Sequence, residues 1–218
     1  MRSSSKIAIF ISALFILISF KPAYSNTYFG IKGGLNYTST TSISTGYKIR
    51  LNIGLSAIHK PNWLPGFSLQ SELIYNEKGA DKGELFQRGE FGSDVDPKNI
   101  YAHRDYLDFI NSAKLRIIQV KSFNVNFVAG LYLAHLLDAN ERYIRMSDNE
   151  LVTVNSVEYY KKFEMGFILG YDFEYLMDDT LLLIDFRYYN GWTDIYKSDG
   201  LYVYNRGFSV SVGWGMVF

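Results

Sequence analysis

The chain has 218 residues, and its 22 basic and 22 acidic side chains cancel to a formal charge of zero. This balance gives no indication of nucleic-acid binding, and the absence of cysteine excludes disulfides, thiolate metal sites and a cysteine nucleophile. The 18 tyrosines and 16 phenylalanines favour a fold made of β-strands.

The first 25 residues have the pattern of a cleaved export signal. Arg2 and Lys6 give a positive start, an uncharged run follows over residues 7–20, and small residues come just before the expected cleavage point. The run of 14 residues is too short for a membrane-spanning helix, which needs about 20. We therefore predict a signal peptide over residues 1–25 and a mature β-barrel domain over residues 26–218.

Eight segments of the mature chain alternate large apolar side chains with small or polar ones at a period of two, as strands do. Each has about the ten residues that a tilted strand needs to cross a bilayer. In chain order they are residues 28–38, 46–58, 67–76, 107–117, 123–134, 163–175, 182–189 and 207–218.

The charged residues within these segments all lie on the face opposite the large apolar residues. A soluble sandwich or lipocalin-like barrel would also alternate. However, such a protein would not need so much aromatic bulk on an uncharged face, whereas a lipid-facing Lys or Arg costs about 2–4 kcal/mol. We therefore predict a barrel whose lumen holds a network of paired charges. Its residues are Lys32, Lys48, Arg50, Glu72, Asp108, Lys114, Arg116, Glu164, Asp172, Glu174, Asp185 and Arg187.

The connections between the segments alternate between short and long, as in bacterial outer-membrane barrels. The predicted inner turns are residues 59–66, 118–122 and 176–180. The predicted outer loops are residues 39–45, 77–105, 135–162 and 191–206. Closure would pair the first strand with the last along a seam of small inward residues, namely Gly30, Gly34, Ser209, Ser211, Gly213 and Gly215.

One outer loop contains the pattern of a hairpin. The strand-like stretches 143–146 and 151–154 flank the turn-rich tetrad of residues 147–150. We expect the fifth and sixth strands to run on above the membrane as a projecting hairpin, whose exposed edge would be a template for a partner strand.

No catalytic or metal-binding motif is evident. His59, His103 and His135 fall in a predicted turn and two predicted loops, and their spacing does not suggest a metal site. A serine hydrolase site at the barrel rim would use His103 or His135, but no serine aligns with either. We expect no enzymatic activity, no metal and no cofactor.

Several of these segments resemble the outer-membrane β-barrel domain family of Gram-negative bacteria, often labelled porin-family or PorT-like. The resemblance covers most of the mature chain. It rests on YFGIKGGLN at 28–36, GFSLQSELIY at 66–75 with Lys78-Gly79, GFILGYDFEY at 166–175, and DFRY at 185–188 with Gly191. Residues 106–110, YLDFI, lack the proline that usually follows the acidic residue in this family's fourth strand.

The end of the chain resembles the signal by which the outer-membrane assembly machinery recognises its clients. The residues that fit this signal are Val210, Val212, Trp214, Met216 and Phe218.

Together these patterns predict an all-β fold: an eight-stranded antiparallel up-and-down transmembrane β-barrel in the cell outer membrane. The predicted role is non-enzymatic, with a largely filled lumen and long extracellular loops for interaction. The alternatives are a narrow porin-like channel for small solutes and a PorT-like component of a secretion apparatus. We expect a monomer whose partners are outer-membrane lipid, the outer-membrane assembly machinery and an extracellular or envelope protein that binds loops 77–105 and 135–162; nucleic acid is not an expected partner.

Overall fold

The structure, a computed structural model, describes residues 25–41, 46–80, 95–197 and 202–217. The predicted signal peptide lies outside these residues, except that Ser25 begins the first strand. A short 3-10 helix spans Val157–Tyr159. The strands are β1 (Ser25–Thr40), β2 (Lys48–Pro61), β3 (Phe67–Ala80), β4 (Val95–Val120), β5 (Phe123–Arg145), β6 (Leu151–Asn155), β7 (Phe163–Met177), β8 (Thr180–Gly191) and β9 (Asn205–Val217).

Eight of these strands close into an antiparallel barrel. Strands β1 to β5 pair in chain order, β5 also pairs with β7, and β7, β8 and β9 continue the sheet. The sheet closes because β1 pairs with β9, from Tyr28 opposite Val217 to Thr40 opposite Asn205. This arrangement confirms the predicted eight-stranded antiparallel barrel. Among the described residues, no helix has the length and apolar character that a membrane-spanning helix requires.

Side chains alternate between the outer surface and the interior of the barrel. Ile31 and Leu51 point outward and are 60% and 57% exposed, whereas the adjacent Lys32 and Asn52 are 4% and 6% exposed. Large apolar side chains thus cover the outer surface of the barrel, and most of the charged ones lie within. An exposed apolar band of this extent matches the hydrocarbon of a bilayer, where a closed sheet leaves no backbone group unpaired.

The interior is not wholly polar. Ile74, Ile110, Val128 and Ile168 are buried and belong to one apolar cluster that fills part of the lumen. The predicted charge network did not include this layer, because these residues lie at inward positions that the sequence pattern assigned to small or polar side chains.

Three strands extend well beyond the predicted segments. The predicted outer loops 77–105 and 135–162 are wrong in their bounds, because β3 runs to Ala80, β4 begins at Val95 and β5 continues to Arg145. The extensions carry polar residues on both faces, since they no longer face hydrocarbon. They therefore lack the period-two apolar signal by which strands are recognised.

The short connections lie at one end of the barrel, here called the short-turn end; the opposite end is the long-loop end. Two-residue turns at 121–122 and 178–179 join β4 to β5 and β7 to β8, inside the predicted turns 118–122 and 176–180. The third connection, residues 62–66, is also shorter than predicted, and Gly66 ends it with a φ of 85°.

At the long-loop end, β5 and β6 form the predicted hairpin. Tyr143 lies opposite Val152 and Ile144 opposite Leu151, which confirms the hairpin. The prediction that the sixth barrel strand runs on into it is wrong, because β6 ends at Asn155 and is separate from β7. In the described part of the chain, β6 pairs with β5 alone and leaves its other edge open.

Candidate functional site: the charged lumen and its outer plug

Four charged side chains meet at the centre of the lumen. Lys32 Nζ lies 2.9 Å from Glu72 Oε1, and Arg187 Nη2 lies 3.1 Å from Asp185 Oδ2. Lys32 also contacts Asp185, and Arg187 also contacts Glu72, so each cation bridges both carboxylates. Two buried cations balance two buried anions, which offsets the cost of removing all four from water.

A second cluster lies towards the short-turn end. Lys114 Nζ is 2.6 Å from Asp172 Oδ2 and also contacts Glu174. Lys60 Nζ binds the other oxygen of Glu174 at 2.6 Å. Asn126 donates a hydrogen bond of 2.6 Å to Asp172, so this cluster also balances two cations with two carboxylates.

A third cluster lies towards the long-loop end around Lys78. The Lys78 ammonium is 3.2 Å from Asp108 and 3.4 Å from Glu164. It also lies 4.5 Å from the ring centroid of Tyr106 and 4.6 Å from that of Tyr132, which adds cation–π attraction. Tyr132 donates its hydroxyl hydrogen to Glu164 at 2.6 Å, so this carboxylate is held by both a charge and a hydrogen bond.

Above Lys78, a loop residue completes the polar interior. Tyr160 follows the 3-10 helix, and its hydroxyl donates to Glu141 Oε1 at 3.0 Å and accepts from Arg104 Nη1 at 3.2 Å. Arg104 also donates to Asn205 at 3.3 Å, and Asn205 donates to Glu164 at 2.7 Å. This chain of contacts therefore links the loop to the third cluster.

Two loops close over the long-loop end, and we call them together the outer plug: residues 156–162 and residues 192–204, as far as the structure describes them. The buried rings of Tyr160 and Tyr196 pack edge to face with centroids 5.5 Å apart. The Lys161 amide donates to the Ile195 carbonyl at 2.8 Å, which ties one loop to the other.

Asp194 stabilises the second loop of the outer plug, residues 192–204. Its carboxylate accepts hydrogen bonds from the amides of Tyr196 at 3.1 Å and Val203 at 2.9 Å, and from Lys161 Nζ at 2.7 Å. Partial burial raises the pKa of Asp194, but the bond from Lys161 and the two amide bonds lower it by more, so the pKa lies below its ordinary value.

Among the described residues, two small cavities lie beside these clusters. A cavity of about 10 Å³ is lined by Asn36, Lys78, Tyr132 and Asn205, and one of about 20 Å³ lies by Lys32 at the β1–β9 seam. Each has room for about one water molecule. A larger cup of about 250 Å³ opens at the short-turn end, where Lys60 and Arg116 line it.

The structure brings nine of the twelve predicted lumen charges into the three clusters and leaves the others near the ends of the barrel. Lys48 lies with its ammonium 4.2 Å from the Tyr101 ring centroid. Arg50 donates to the Ala102 carbonyl at 3.3 Å. Arg116 lines the cup at the short-turn end and makes no ion pair with any described residue.

Sequence reasoning missed four charged residues of the interior: Lys60, Lys78, Arg104 and Glu141. All four lie in strand extensions that had been assigned to turns or loops. Arg104 could have been found, since it continues the inward series of Asp108 and Tyr106 by one more step of two. Glu141 could not, because a bulge in β5 changes which residues face inward.

The predicted assembly signal lies on the outer face of β9. Val210, Val212, Trp214 and Met216 all point outward and are between 41% and 60% exposed. Phe218 lies outside the described residues.

Comparison with known proteins places this barrel in a family. Residues 21–197 match the family described as outer membrane protein beta-barrel domain, which is more than half of the chain. The chain belongs to the outer-membrane β-barrel domain family. It is accordingly a protein of the cell outer membrane. In bacterial barrels of this kind, short turns face the periplasm and long loops lie outside the cell.

Solved structures share the fold of this outer-membrane barrel at low sequence identity. Neisserial surface protein A is 12% identical, with a TM-score of 0.51 over 88% of this chain and 97% of that one. The outer membrane protein OprG from Pseudomonas aeruginosa is 11% identical, with a TM-score of 0.48 over 89% of this chain and 95% of that one. Among curated proteins, no sequence matched the chain. At such identities the likeness concerns the fold alone.

Proposed function

We propose that this outer-membrane barrel is a non-enzymatic, non-conducting protein that binds another protein outside the cell. The observation that carries this proposal is the filled lumen. Lys32, Lys78, Lys114 and Arg187 are all at most 4% exposed, and each is held by buried carboxylates. A solute would have to break these clusters and displace the outer plug, so the surface available for function is the exterior.

The histidines considered for a rim hydrolase favour the same conclusion. His103 contacts Asp105, and the His135 ring packs on Phe163 with centroids 4.9 Å apart. Among the described hydrogen bonds, neither histidine pairs with a serine oxygen.

Planar-bilayer conductance tests the absence of a channel. Purified protein, shown to be a folded barrel by its heat-dependent gel mobility, should give no steady current in concentrated potassium chloride. A steady ohmic current from the pure protein would contradict the proposal and favour the narrow porin-like channel.

The β5–β6 hairpin is the surface we propose for protein binding. The Arg145 amide donates to the Glu150 carbonyl, and the Ser156 amide donates to the Ala139 carbonyl. In an antiparallel pair, hydrogen-bonded positions alternate, so the amides of Leu151, Thr153 and Asn155 point away from β5. These groups, for which no hydrogen-bond partner is found among the described residues, lie beside an exposed Leu151. They suit an extended segment of an envelope or extracellular protein that adds as a strand.

A proline at the open edge tests this surface. Thr153→Pro removes one outward-pointing amide but none of the hydrogen bonds to β5, so the hairpin should persist. A photoreactive residue at position 151, used in intact cells, should cross-link a partner in a Thr153→Ala background. The yield should fall at least fivefold with Thr153→Pro, while heat-dependent gel mobility shows that both variants fold.

Two results would contradict strand addition by another protein. One is an adduct that Thr153→Pro leaves unchanged. The other is an adduct with the mass of two copies of this chain, which would mean that the edge pairs with itself.

A further inference from the structure

Three side chains with metal-ligating atoms converge on the outward face of β3 and β4, near the extracellular end. They are Glu77, His103 and Asp105, and their ligating atoms all lie within 4.8 Å of one another. The strand register explains the convergence. Glu77 lies directly opposite Asp105, and His103 lies two residues before Asp105 on the same face of β4. The cluster lies outside the lumen and takes no part in the ion pairs described above.

The contact between His103 and Asp105 suits a bound cation. His103 Nε2 lies 2.9 Å from Asp105 Oδ1, a buried oxygen for which no hydrogen bond is described, and the Tyr75 hydroxyl also bonds to the Asp105 carboxylate. With a neutral imidazole, a cation between the ring nitrogen and this oxygen would satisfy both electron-pair donors. A buried acceptor without such a partner carries a free-energy cost.

A β-bulge adds a third carboxylate, and so a fourth candidate ligand. Asp105 pairs with Asp138, but the next residue, Tyr106, pairs with Leu136, so Leu137 is an extra residue in β5. The extra residue shifts the alternation of β5 by one place. Asp138, which would otherwise follow Leu136 into the lumen, therefore lies beside Asp105 on the outer face. Bulges often re-aim a side chain next to a functional site.

Arg50 is the described cation beside this cluster, and Glu77 and Asp105 both attract it. Its Nη2 donates instead to the Ala102 carbonyl at 3.3 Å, and it forms no ion pair with either carboxylate among the described residues. Glu77 Oε2 accepts the Leu51 amide at 3.3 Å, which holds the side chain in place and leaves Oε1 available.

We propose that Glu77, His103 and Asp105 bind one divalent transition-metal ion of the Zn²⁺ class, with Asp138 opposite Asp105 on the adjacent strand. One imidazole nitrogen with two or three carboxylate oxygens is a donor set that Zn²⁺ accepts, whereas Ca²⁺ and Mg²⁺ prefer oxygen alone. Bonds of about 2.0–2.2 Å to a tetrahedral ion hold ligand atoms about 3.3–3.6 Å apart. Small rotations of the two carboxylates would bring the present spacing to that value.

Isothermal titration of untagged, chelator-washed protein in detergent micelles with zinc chloride tests this site. We expect one ion per chain. His103→Ala and Glu77→Gln should each weaken the affinity at least tenfold, and His135→Ala, a histidine on the neighbouring strand, should leave it unchanged. Heat-dependent gel mobility shows whether each variant folds, and the visible absorption of bound Co²⁺ provides a second readout that loss of His103 should alter.

Three results would overturn the proposal. The first is zinc binding that His103→Ala and Glu77→Gln leave unchanged, and the second is an equal loss with His135→Ala. The third is Ca²⁺ binding as tight as Zn²⁺ binding, because a purely acidic site would behave in that way.

Discussion

At the scale of single residues, the interior of this barrel is built from charges that share partners. Lys114 serves both Asp172 and Glu174, and Lys32 and Arg187 each touch two carboxylates. Because the cations are shared, a few of them compensate several buried anions. The stability of the folded barrel therefore depends on each cation. Removing one partner leaves an uncompensated charge in a medium that solvates it poorly.

Lys114→Met tests this dependence. The substitution keeps most of the side-chain volume but leaves Asp172 without its cation and Glu174 with Lys60 alone. We expect the free energy of unfolding to fall by about 3–5 kcal/mol, measured by urea titration in lipid vesicles.

The matched control for Lys114→Met is Lys161→Met. Lys161 pairs with Asp194 at the surface, and its side chain is 46% exposed. Because water already solvates such a pair, we expect almost no change in the urea midpoint. Equal midpoints for the two variants would show that the buried cluster contributes no more than a surface pair.

At the scale of elements, the strands that face lipid could be predicted and the parts above the membrane could not. Strands β7 and β9 were located within a few residues because one face had to be apolar throughout. The outer part of β4 and the bulge at Leu137 carry no such signal, because neither face meets hydrocarbon there: the outer face meets water, and the inner face holds buried polar residues such as Arg104 and Glu141. The packing of Tyr160 against Tyr196 depends on two loops that are distant in sequence, and no local pattern predicts it.

The seam between β1 and β9 leaves no room for a side chain at Gly34. A Cβ added at Gly34 would collide with the Val210 carbonyl oxygen and with Cα of Ser211, both backbone atoms that cannot move aside. Gly34→Val should therefore prevent the two strands from pairing. We expect the protein to lose the fast-migrating folded band on unheated gels.

The adjacent glycine provides the control for Gly34→Val. A Cβ at Gly33 points outward, and its nearest neighbour is the Asn52 carbonyl oxygen at 3.5 Å, which is ordinary contact. Gly33→Ala should keep the folded band. A folded band in Gly34→Val as well would show that the seam can open enough to admit a side chain.

At the scale of the whole molecule, the chain is a closed cylinder with an apolar exterior and a charged interior. This arrangement is the reverse of that in a soluble protein. The sequence was sufficient to predict this inversion, because all the charges of the strand segments lie opposite the large apolar residues. It did not distinguish a filled lumen from a narrow channel, because that depends on Lys78, Arg104 and the outer plug, which lie outside the recognisable segments.

The direction in which side chains point along a strand tests this account most directly. The chain has no cysteine, so single cysteines can carry nitroxide labels on β2, outward at positions 51 and 55 and inward at positions 52 and 56. In lipid vesicles, oxygen should relax the outward labels strongly, a water-soluble nickel chelate should not, and neither should reach the inward labels. Strong relaxation by the nickel chelate at positions 52 and 56, or weak relaxation by oxygen at positions 51 and 55, would contradict a lipid-facing barrel with a filled lumen.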